Sequence, residues 1–156
     1  MILGIDPGSE KSAYVLWDGE RVRDRNILRN ESILDLATVA KSEKCAIGIE
    51  MISSYGMPVG KEVFETCVWI GRFIQAMGEA SMIYRHEIKS HFCNSQRAKD
   101  GNIRQALIDR FGGKERAIGK KKSPGPLYGI KGDEWAALAV ALFLGDRIQG
   151  GRSSLW

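Results

Sequence analysis

Two short apolar runs that each end in a carboxylate constrain the fold of this chain most. Residues 1–5 deliver Asp6 onto a Pro-Gly turn, and residues 45–49 end in Glu50. Both runs are too short for a helix and are typical of buried strands, and the Pro-Gly pair stops the first one. An isolated Asp-Pro-Gly favours a simple turn role for its aspartate. Asp6 therefore indicates a functional site only if other carboxylates reach the same place.

Length and composition place the chain in a broad class. Its 156 residues suffice for a packed core, and we expect residues 1–156 to form a single domain. No apolar run approaches the ~20 residues that span a bilayer, and no signal-peptide pattern begins the chain. The sequence thus predicts a cytoplasmic protein without membrane association. Three separated cysteines without a CxxC pair argue against a disulfide framework or a zinc site.

The remaining patterns predict an α/β fold. Further strands are predicted over 12–17, 21–28 and 80–84, and helices over 31–41, 61–77, 87–92, 99–111 and 132–149. A tight Asp-Gly turn joins the second and third strands, so the opening is a three-stranded antiparallel meander. Asn30 is expected to cap the first helix. Residues 114–132, rich in Gly, Pro and Lys, are expected to form an exposed mobile loop, and residues 150–156 a tail.

Three acids share a position at the ends of these elements. Asp6 and Glu50 end strands that a right-handed crossover makes parallel neighbours, which places their side chains roughly 5 to 8 Å apart. Asp133 opens the last helix, which should pack on the sheet. Carboxylates at such distances repel unless a hard cation lies among them, and oxygen ligands suit Mg²⁺ or Mn²⁺. A pair of these ions ~4 Å apart would activate water and stabilise the leaving oxygen in phosphodiester hydrolysis.

Four stretches together carry a resemblance to a known family. They are GIDPGSEKSAY, the strand IGIE, the run YRHEIKSHFCNSQRAKDGNIRQAL and KGDEWAALAVAL. Their order and spacing, over nearly the whole chain, resemble the RuvC family of Holliday-junction resolvases within the RNase H-like superfamily. The compact length and divergent middle are similar to bacteriophage versions of that family. The resemblance implies a mixed central sheet with helices on both faces, and a metal-dependent homodimer that makes paired nicks in four-way DNA junctions.

The resemblance also implies residue roles. Asp6, Glu50 and Asp133 match the family's carboxylate positions, which implies Mg²⁺ or Mn²⁺ in the site, with two ions expected. Lys89 matches a basic residue near the scissile phosphate; a solvated helix lysine is the plain alternative.

One position departs from the family pattern. The family's last helix commonly carries a second acid three residues after the first, and this chain has Ala136 there. Glu134 is the nearest acid, about 100° around the helix from Asp133. Asp100 is another candidate, in a place where relatives carry a lysine. The sequence leaves open whether either of them replaces the absent acid.

Further residues are candidates for contact with DNA or with a second copy of the chain. Lys120, Lys121 and Lys122 are expected to meet DNA phosphates, although exposed lysines are commonly only solvated. Tyr55 either stacks on bases unpaired at a crossover, a contact worth ~1 to 3 kcal/mol, or has no such role. The predicted helix Lys61–Met77 resembles the family's dimer helix, which would give Trp69 and Phe73 a partner; alternatively Trp69 packs within its own domain.

The sequence therefore predicts a divalent-metal-dependent, structure-specific DNA endonuclease that resolves four-way and other branched DNA junctions. Two alternatives stay open. One is an RNase H-like ribonuclease that acts on RNA or hybrids. The other is a non-catalytic nucleic-acid-binding module in which Ala136 marks a decayed site.

Overall fold

A five-stranded mixed sheet forms the centre of the fold, which a computed structural model describes over residues 1–153. Its strands are β1 (Ile2–Asp6), β2 (Lys11–Trp17), β3 (Val22–Arg29), β4 (Ala46–Met51) and β5 (Ser81–Tyr84). In space they are ordered β3-β2-β1-β4-β5. The first three are antiparallel, whereas β4 is parallel to both β1 and β5. This confirms the predicted meander and the predicted parallel pairing of the first and fourth strands.

Helices cover both faces of the sheet. They are α1 (Asn30–Ser42), α2 (Lys61–Met77), α3 (Arg85–Cys93), α4 (Asp100–Arg110), the short α5 (Lys114–Ala117) and α6 (Glu134–Ser153). A two-stranded hairpin, β6 (Gly119–Lys120) and β7 (Ser123–Pro124), lies outside the main sheet. Helices α1 and α2 pack together on one face, and α6 packs on the other against β1, β2 and β4. No helix within residues 1–153 is long and apolar enough to cross a membrane.

Alternation along β1 and β4 assigns each side chain to one face. Leu3 and Ile5 belong to the apolar cluster with α1 and α2. Gly4 instead faces α6, where a Cβ atom would lie 2.3 Å from the carbonyl oxygen of Ala137. The α6 backbone thus lies directly on β1, an approach that only a residue without a Cβ allows. Because side chains alternate with a period of two, Asp6 faces the α6 side of the sheet.

The structure corrects the prediction that Asn30 caps α1. Arg29 is the N-cap residue, and the Asn30 side chain is fully buried. Its Nδ2 donates to the Gly8 carbonyl oxygen at 2.9 Å, and its Oδ1 accepts from Ser12 Oγ at 2.5 Å. Ser12 Oγ in turn accepts from the Gly8 N–H at 3.1 Å. These bonds fasten the turn that follows Asp6 to the start of α1.

The prediction of an exposed loop over residues 114–132 is also wrong. The segment holds α5 and the β6–β7 hairpin, and Ala117 and Leu127 within it are fully buried. The Leu127 N–H donates to the Ala117 carbonyl oxygen at 2.8 Å. The few apolar residues here are too widely spaced to form a period, so only tertiary packing reveals their burial. Helix α6 likewise continues to Ser153, so the predicted tail begins as helix, and residues 154–156 lie outside the described part.

Helix α2 has its predicted bounds, but one expectation about its faces fails. Phe73 is fully buried within its own chain, so it cannot face a partner. Trp69 packs on Phe73 with ring centroids 5.9 Å apart, which is the alternative role of a contact within the same fold. The exposed apolar side chains of α2 are instead Phe64 and Val68, which are 60% and 63% exposed.

Replacing Gly4 with alanine tests the close packing of α6 on β1. The new Cβ would meet Ala137 O at 2.3 Å and Ala141 N at 2.8 Å, so the helix must shift. We expect Gly4→Ala to lower the free energy of unfolding by at least ~1 to 3 kcal/mol in urea titrations. The control is Gly101→Ala in α4, where no described residue lies within 4 Å of the added methyl group and a gain of up to ~1 kcal/mol is expected. Unchanged stability in Gly4→Ala would contradict the close approach.

Candidate active site

The register of β1 and β4 brings Asp6 and Glu50 side by side. Ile5 pairs with Ile49 in the parallel ladder, so the next residue of each strand lies at the same edge of the sheet. The two carboxyl groups are close enough to share a hydrogen bond. Glu50 is only 8% exposed, and no N–H or hydroxyl group within residues 1–153 donates a hydrogen bond to its buried Oε2. The two acids predicted to meet at this edge do meet there.

The third predicted acid, Asp133, lies at the start of α6. Its carbonyl oxygen accepts from the Ala137 N–H at 3.2 Å, so it lies one helical turn before the residue that contacts Gly4. Asp133 and Asp6 line one cleft of about 90 Å³, together with Arg85, Asp100 and Ala136 among others. An adjoining cleft of about 260 Å³ is lined by residues that include Asp6, Glu50, Tyr55 and Arg85. Asp6 and Arg85 thus line both clefts.

Arg85 is a site residue that the sequence patterns did not single out. Its Nε lies 2.7 Å from Glu50 Oε1, and one terminal nitrogen lies 2.7 Å from Asp100 Oδ1. Arg85 directly follows β5, which is parallel to β4 and pairs Tyr84 with Met51. The rule that selected Asp6 and Glu50, a polar residue at the end of a parallel strand, would also have selected Arg85.

Burial and mutual repulsion change the acidity of the paired carboxyl groups. Burial raises the pKa of Asp6 to about 8; the charges of Glu50 and Asp133 raise it as well, and that of Arg85 opposes them. Burial also raises the pKa of Glu50, again opposed mainly by Arg85. Without another cation, the pair therefore retains a proton near neutral pH. A divalent ion that replaced this proton would relieve the repulsion between the two groups.

These donors fit a hard divalent ion that keeps much of its water. The ligand atoms are carboxylate oxygens, and Glu50 Oε2 is a buried acceptor that lacks a donor. Within residues 1–153, no three acidic, histidine or cysteine side chains stand ready to enclose an ion together. Mg²⁺ does not require such a cage, because it is commonly bound by one or two carboxylates, several waters and a substrate phosphate.

Glu134 does not take the place of the acid absent at Ala136. It is fully buried, and both its oxygens accept from one Arg25 terminal nitrogen, at 2.9 and 3.1 Å. Its Oε2 also accepts from the Lys131 N–H at 3.0 Å. Its neighbours Asp133 and Ala136 line the smaller cleft, whereas Glu134 does not. Glu134 thus joins the start of α6 to β3, and thereby fixes the position of Asp133.

Of the other predicted contact residues, Tyr55 lines a cleft with the carboxylates, whereas Lys89 lines neither cleft. Tyr55 is 64% exposed at the rim of the larger cleft, and its backbone has the left-handed φ of 49°. Its ring is perpendicular to that of His86, with centroids 6.5 Å apart. Lys89 lies one turn after Arg85 on α3 and is partly buried. Among the described residues, no hydrogen bond or ion pair joins Lys89 to the carboxylates.

The structure does not bring the three predicted basic residues of the hairpin to this site. Lys120, Lys121 and Lys122 are exposed at the β6–β7 turn. Shortly after the hairpin, the Pro126 carbonyl oxygen accepts from the Val22 N–H at 3.1 Å. Val22 begins β3, at the sheet end opposite to Asp6, because β3 is parallel to β1 in direction across the antiparallel β2. Any role for these lysines must therefore be at a distance from the carboxylates.

The strand order and the carboxylates at one sheet edge define the class of fold. An antiparallel meander followed by two parallel strands, with helices on both faces, is the RNase H-like α/β fold.

Two solved structures of RuvC from Thermus thermophilus share this architecture. The first, described as a RuvC structure, has a TM-score of 0.63 and 16% sequence identity, and the match covers 96% of each chain. The second, RuvC in complex with a Holliday junction substrate, has a TM-score of 0.59 and 14% identity, over 96% of this chain and 95% of that one. Neither a protein-family model nor a curated protein sequence matches this chain. At these identities the likeness establishes the fold alone.

The raised pKa of Asp6 predicts how the stability of the metal-free protein depends on pH. The native state keeps a proton that the unfolded chain releases above its ordinary pKa of 3.8, so the stabilisation is complete below that pH and is lost as pH rises through about 8. We expect the free energy of unfolding to fall between about pH 4 and pH 8, by up to ~1.4 kcal/mol per pH unit.

The measurement is urea unfolding in EDTA across this range. Asp6→Asn cannot ionise and should give a shallower slope, whereas Asp35→Asn, an exposed acid on α1, should keep the wild-type slope. Equal slopes in Asp6→Asn and the wild type would contradict the burial of an ionisable proton at Asp6.

Proposed function

We propose that this protein is a divalent-metal-dependent DNA endonuclease that cuts four-way and other branched junctions by phosphodiester hydrolysis. The observation that carries the proposal is the pairing of the half-buried Asp6 with the buried Glu50 at the edge of an RNase H-like sheet, with Asp133 lining the same cleft as Asp6. Support also comes from the similar fold of a RuvC structure that contains a Holliday junction substrate. The more specific expectation of a bacteriophage version rests on the sequence resemblance alone and stays a prediction.

Each acid has a distinct part in the proposed reaction. Asp6 and Glu50 Oε2 would hold the ion at the buried end of the site, with water completing its shell. A bound ion would polarise the scissile phosphate and lower the pKa of an attacking water. Asp133 is exposed at the mouth of the cleft, where its carboxylate can accept the proton of that water. The turn bonded to Ser12 and Asn30 holds Asp6 in place during these steps.

DNA contacts in this proposal extend well beyond the clefts. Tyr55 at the rim of the larger cleft is placed to stack on a base that is unpaired at the crossover. Lys89 would contact the backbone beside the cut phosphate, and Lys120, Lys121 and Lys122 would contact an arm of the junction farther away. A net charge of +4 supports binding through phosphates, which weakens steeply with added salt.

We also propose that α2 forms the interface of a homodimer. Phe64 and Val68 lie one turn apart on its exposed face, and Gly71, the next residue along this stripe, has open space around it. Apolar side chains exposed in such a row are typical of a surface that another protein covers. A two-fold dimer would present two sites to the two symmetric strands of a junction. Burial of both apolar clusters against one sheet supports a single domain in each protomer.

Removal of the first acid tests the proposed reaction. We expect Asp6→Asn to lower the cleavage rate of a labelled four-way junction in Mg²⁺ by roughly 10³-fold or more, with junction binding retained in gel-shift assays. Asp35→Asn is the matched control and should cleave at the wild-type rate. Normal cleavage by Asp6→Asn would rule out this site.

The choice of substrate separates the proposal from its alternatives. Four-way DNA, flap DNA, duplex DNA and an RNA/DNA hybrid are compared at equal concentration, with both strands labelled to map the two nicks. We expect paired, symmetric cuts in the four-way junction. Preferential cutting of the hybrid would instead indicate a ribonuclease, and binding without any cleavage would indicate a non-catalytic module.

Charge placed on the exposed face of α2 tests the dimer. We expect Phe64→Glu to convert a dimer to a monomer in analytical ultracentrifugation, because the charge would be buried in the interface. Val39→Glu, on an exposed position of α1, is the control and should leave the mass unchanged. A wild-type protein that sediments as a monomer at micromolar concentration would contradict the proposed dimer.

A further inference from the structure

The guanidinium of Arg85 lies inside the carboxylate cluster. It is 30% exposed and is held from two sides, by Glu50 Oε1 at 2.7 Å and by Asp100 Oδ1 at 2.7 Å. Asp100 is itself 80% exposed, so the stronger restraint is the buried Glu50. Arginine keeps its charge at every accessible pH, so this is a permanent positive charge beside the site.

The smaller cleft lacks the second acid that the family's last helix carries three residues after Asp133. Ala136 lines it beside Asp133 and Arg85, while Glu134 is taken up by Arg25. Compared with a site of four acids that share two ions, this cluster has one fewer carboxylate on α6 and one added cation. Both changes act in the same direction, because each reduces the negative charge available to a second ion.

The two carboxylate oxygens of Glu50 have different surroundings, and one of them is available to a ligand. Oε1 is occupied by Arg85, whereas no described residue donates a hydrogen bond to Oε2 apart from the proton that Glu50 can share with Asp6, although Glu50 is more than nine-tenths buried. A buried acceptor without a donor is costly, so a protein retains one chiefly where something else binds to it. Glu50 can therefore contribute one oxygen to an ion while Arg85 keeps the other in place.

We propose that Arg85 takes the place of one of the two metal ions expected here, and that the site binds a single divalent ion through Asp6 and Glu50, with Asp133 beside it at the mouth of the cleft. The inference rests on the proposed function. With one ion, the carboxylates of Asp6, Glu50 and Asp133 together with the ion and the guanidinium carry no net charge, and the nearby Asp100 carboxylate makes the cluster mildly negative. A second ion would make it positive and would lie close to the guanidinium, which is unfavourable.

Arg85 can also supply part of the chemistry of the ion it replaces. Two of its nitrogens are bonded to carboxylates, and the guanidinium borders both clefts. Its remaining N–H groups are therefore available to a phosphate oxygen, which arginine binds with a well-matched planar fork. In a two-ion site, the second ion stabilises the leaving oxygen. A guanidinium at this place would stabilise the same developing charge.

Counting bound Mn²⁺ tests the inference without any cleavage assay. Calorimetric titration of the metal-free protein should give one ion per chain for the wild type. Ala136→Asp, which restores the acid but keeps Arg85, should also bind one ion. The double variant Arg85→Ala with Ala136→Asp should bind two. Lys89→Ala removes a positive charge one turn away on the same helix and should leave the number at one.

A second measurement, the dependence of the cleavage rate on Mn²⁺ concentration, detects ions that bind only together with DNA. The single-turnover cleavage rate of a four-way junction should rise with the first power of Mn²⁺ concentration below saturation in the wild type. It should rise with the second power in the double variant. Circular dichroism of each variant verifies that the chain is folded before ions are counted.

The possible outcomes separate this inference from the proposed function. Two ions in the wild type, or in Ala136→Asp alone, would overturn the role of Arg85 and leave the nuclease proposal standing. A double variant that still binds one ion would also overturn it, because Arg85 would not be what excludes the second ion. No binding of Mn²⁺ to the wild type, with and without DNA, would overturn both proposals.

Discussion

The close packing of α6 on two glycines of the sheet, with the helix backbone against Gly4 and its side chains against Gly48, determines where the three acids of the candidate site lie. A Cβ atom at Gly4 or Gly48 would meet atoms of α6 at 2.3 and 2.9 Å, so the helix approaches the sheet more closely than ordinary side chains permit. Asp6 and Glu50 lie two residues beyond these glycines on the same face. Asp133 lies one turn before the point of contact. One close approach therefore brings three acids to one edge.

Polar contacts hold the three acids in place, one set at the start of α6 and another at the turn after β1. The Arg25–Glu134 pair and the Lys131 N–H fix the start of α6 against β3. The bonds among Gly8, Ser12 and Asn30 fix the turn after β1. Both sets are buried or partly buried, where breaking one partner leaves the other unsatisfied. The acids are thus held close together although they repel, and the raised pKa of Asp6 is the direct expression of that repulsion and of burial.

Part of the site was predictable from local pattern and part was not. Asp6 and Glu50 follow from short apolar runs with an acid at the end, because parallel neighbouring strands end at the same edge. Arg85 obeys the same rule and was overlooked because the rule was applied only to acidic residues at strand ends. Glu134 and Asp133 are adjacent in sequence, and apart from the family resemblance no local pattern distinguishes the acid that pairs with Arg25 from the one that lines the cleft. That distinction depends on a β3 residue more than a hundred positions away.

The amino-acid sequence by itself determined the order and type of the main elements, the meander, the bounds of α2 and the meeting of Asp6 with Glu50. These depend on periodicity and on strand direction, which are local properties of the chain. Only the tertiary structure decided that Asn30 ties a turn rather than capping a helix, that Ala117, Leu127 and Ile130 pack into the core, and that Arg85 lies among the carboxylates. Each of these depends on contacts between distant segments, whose free energy outweighs local preference when polar groups are buried together.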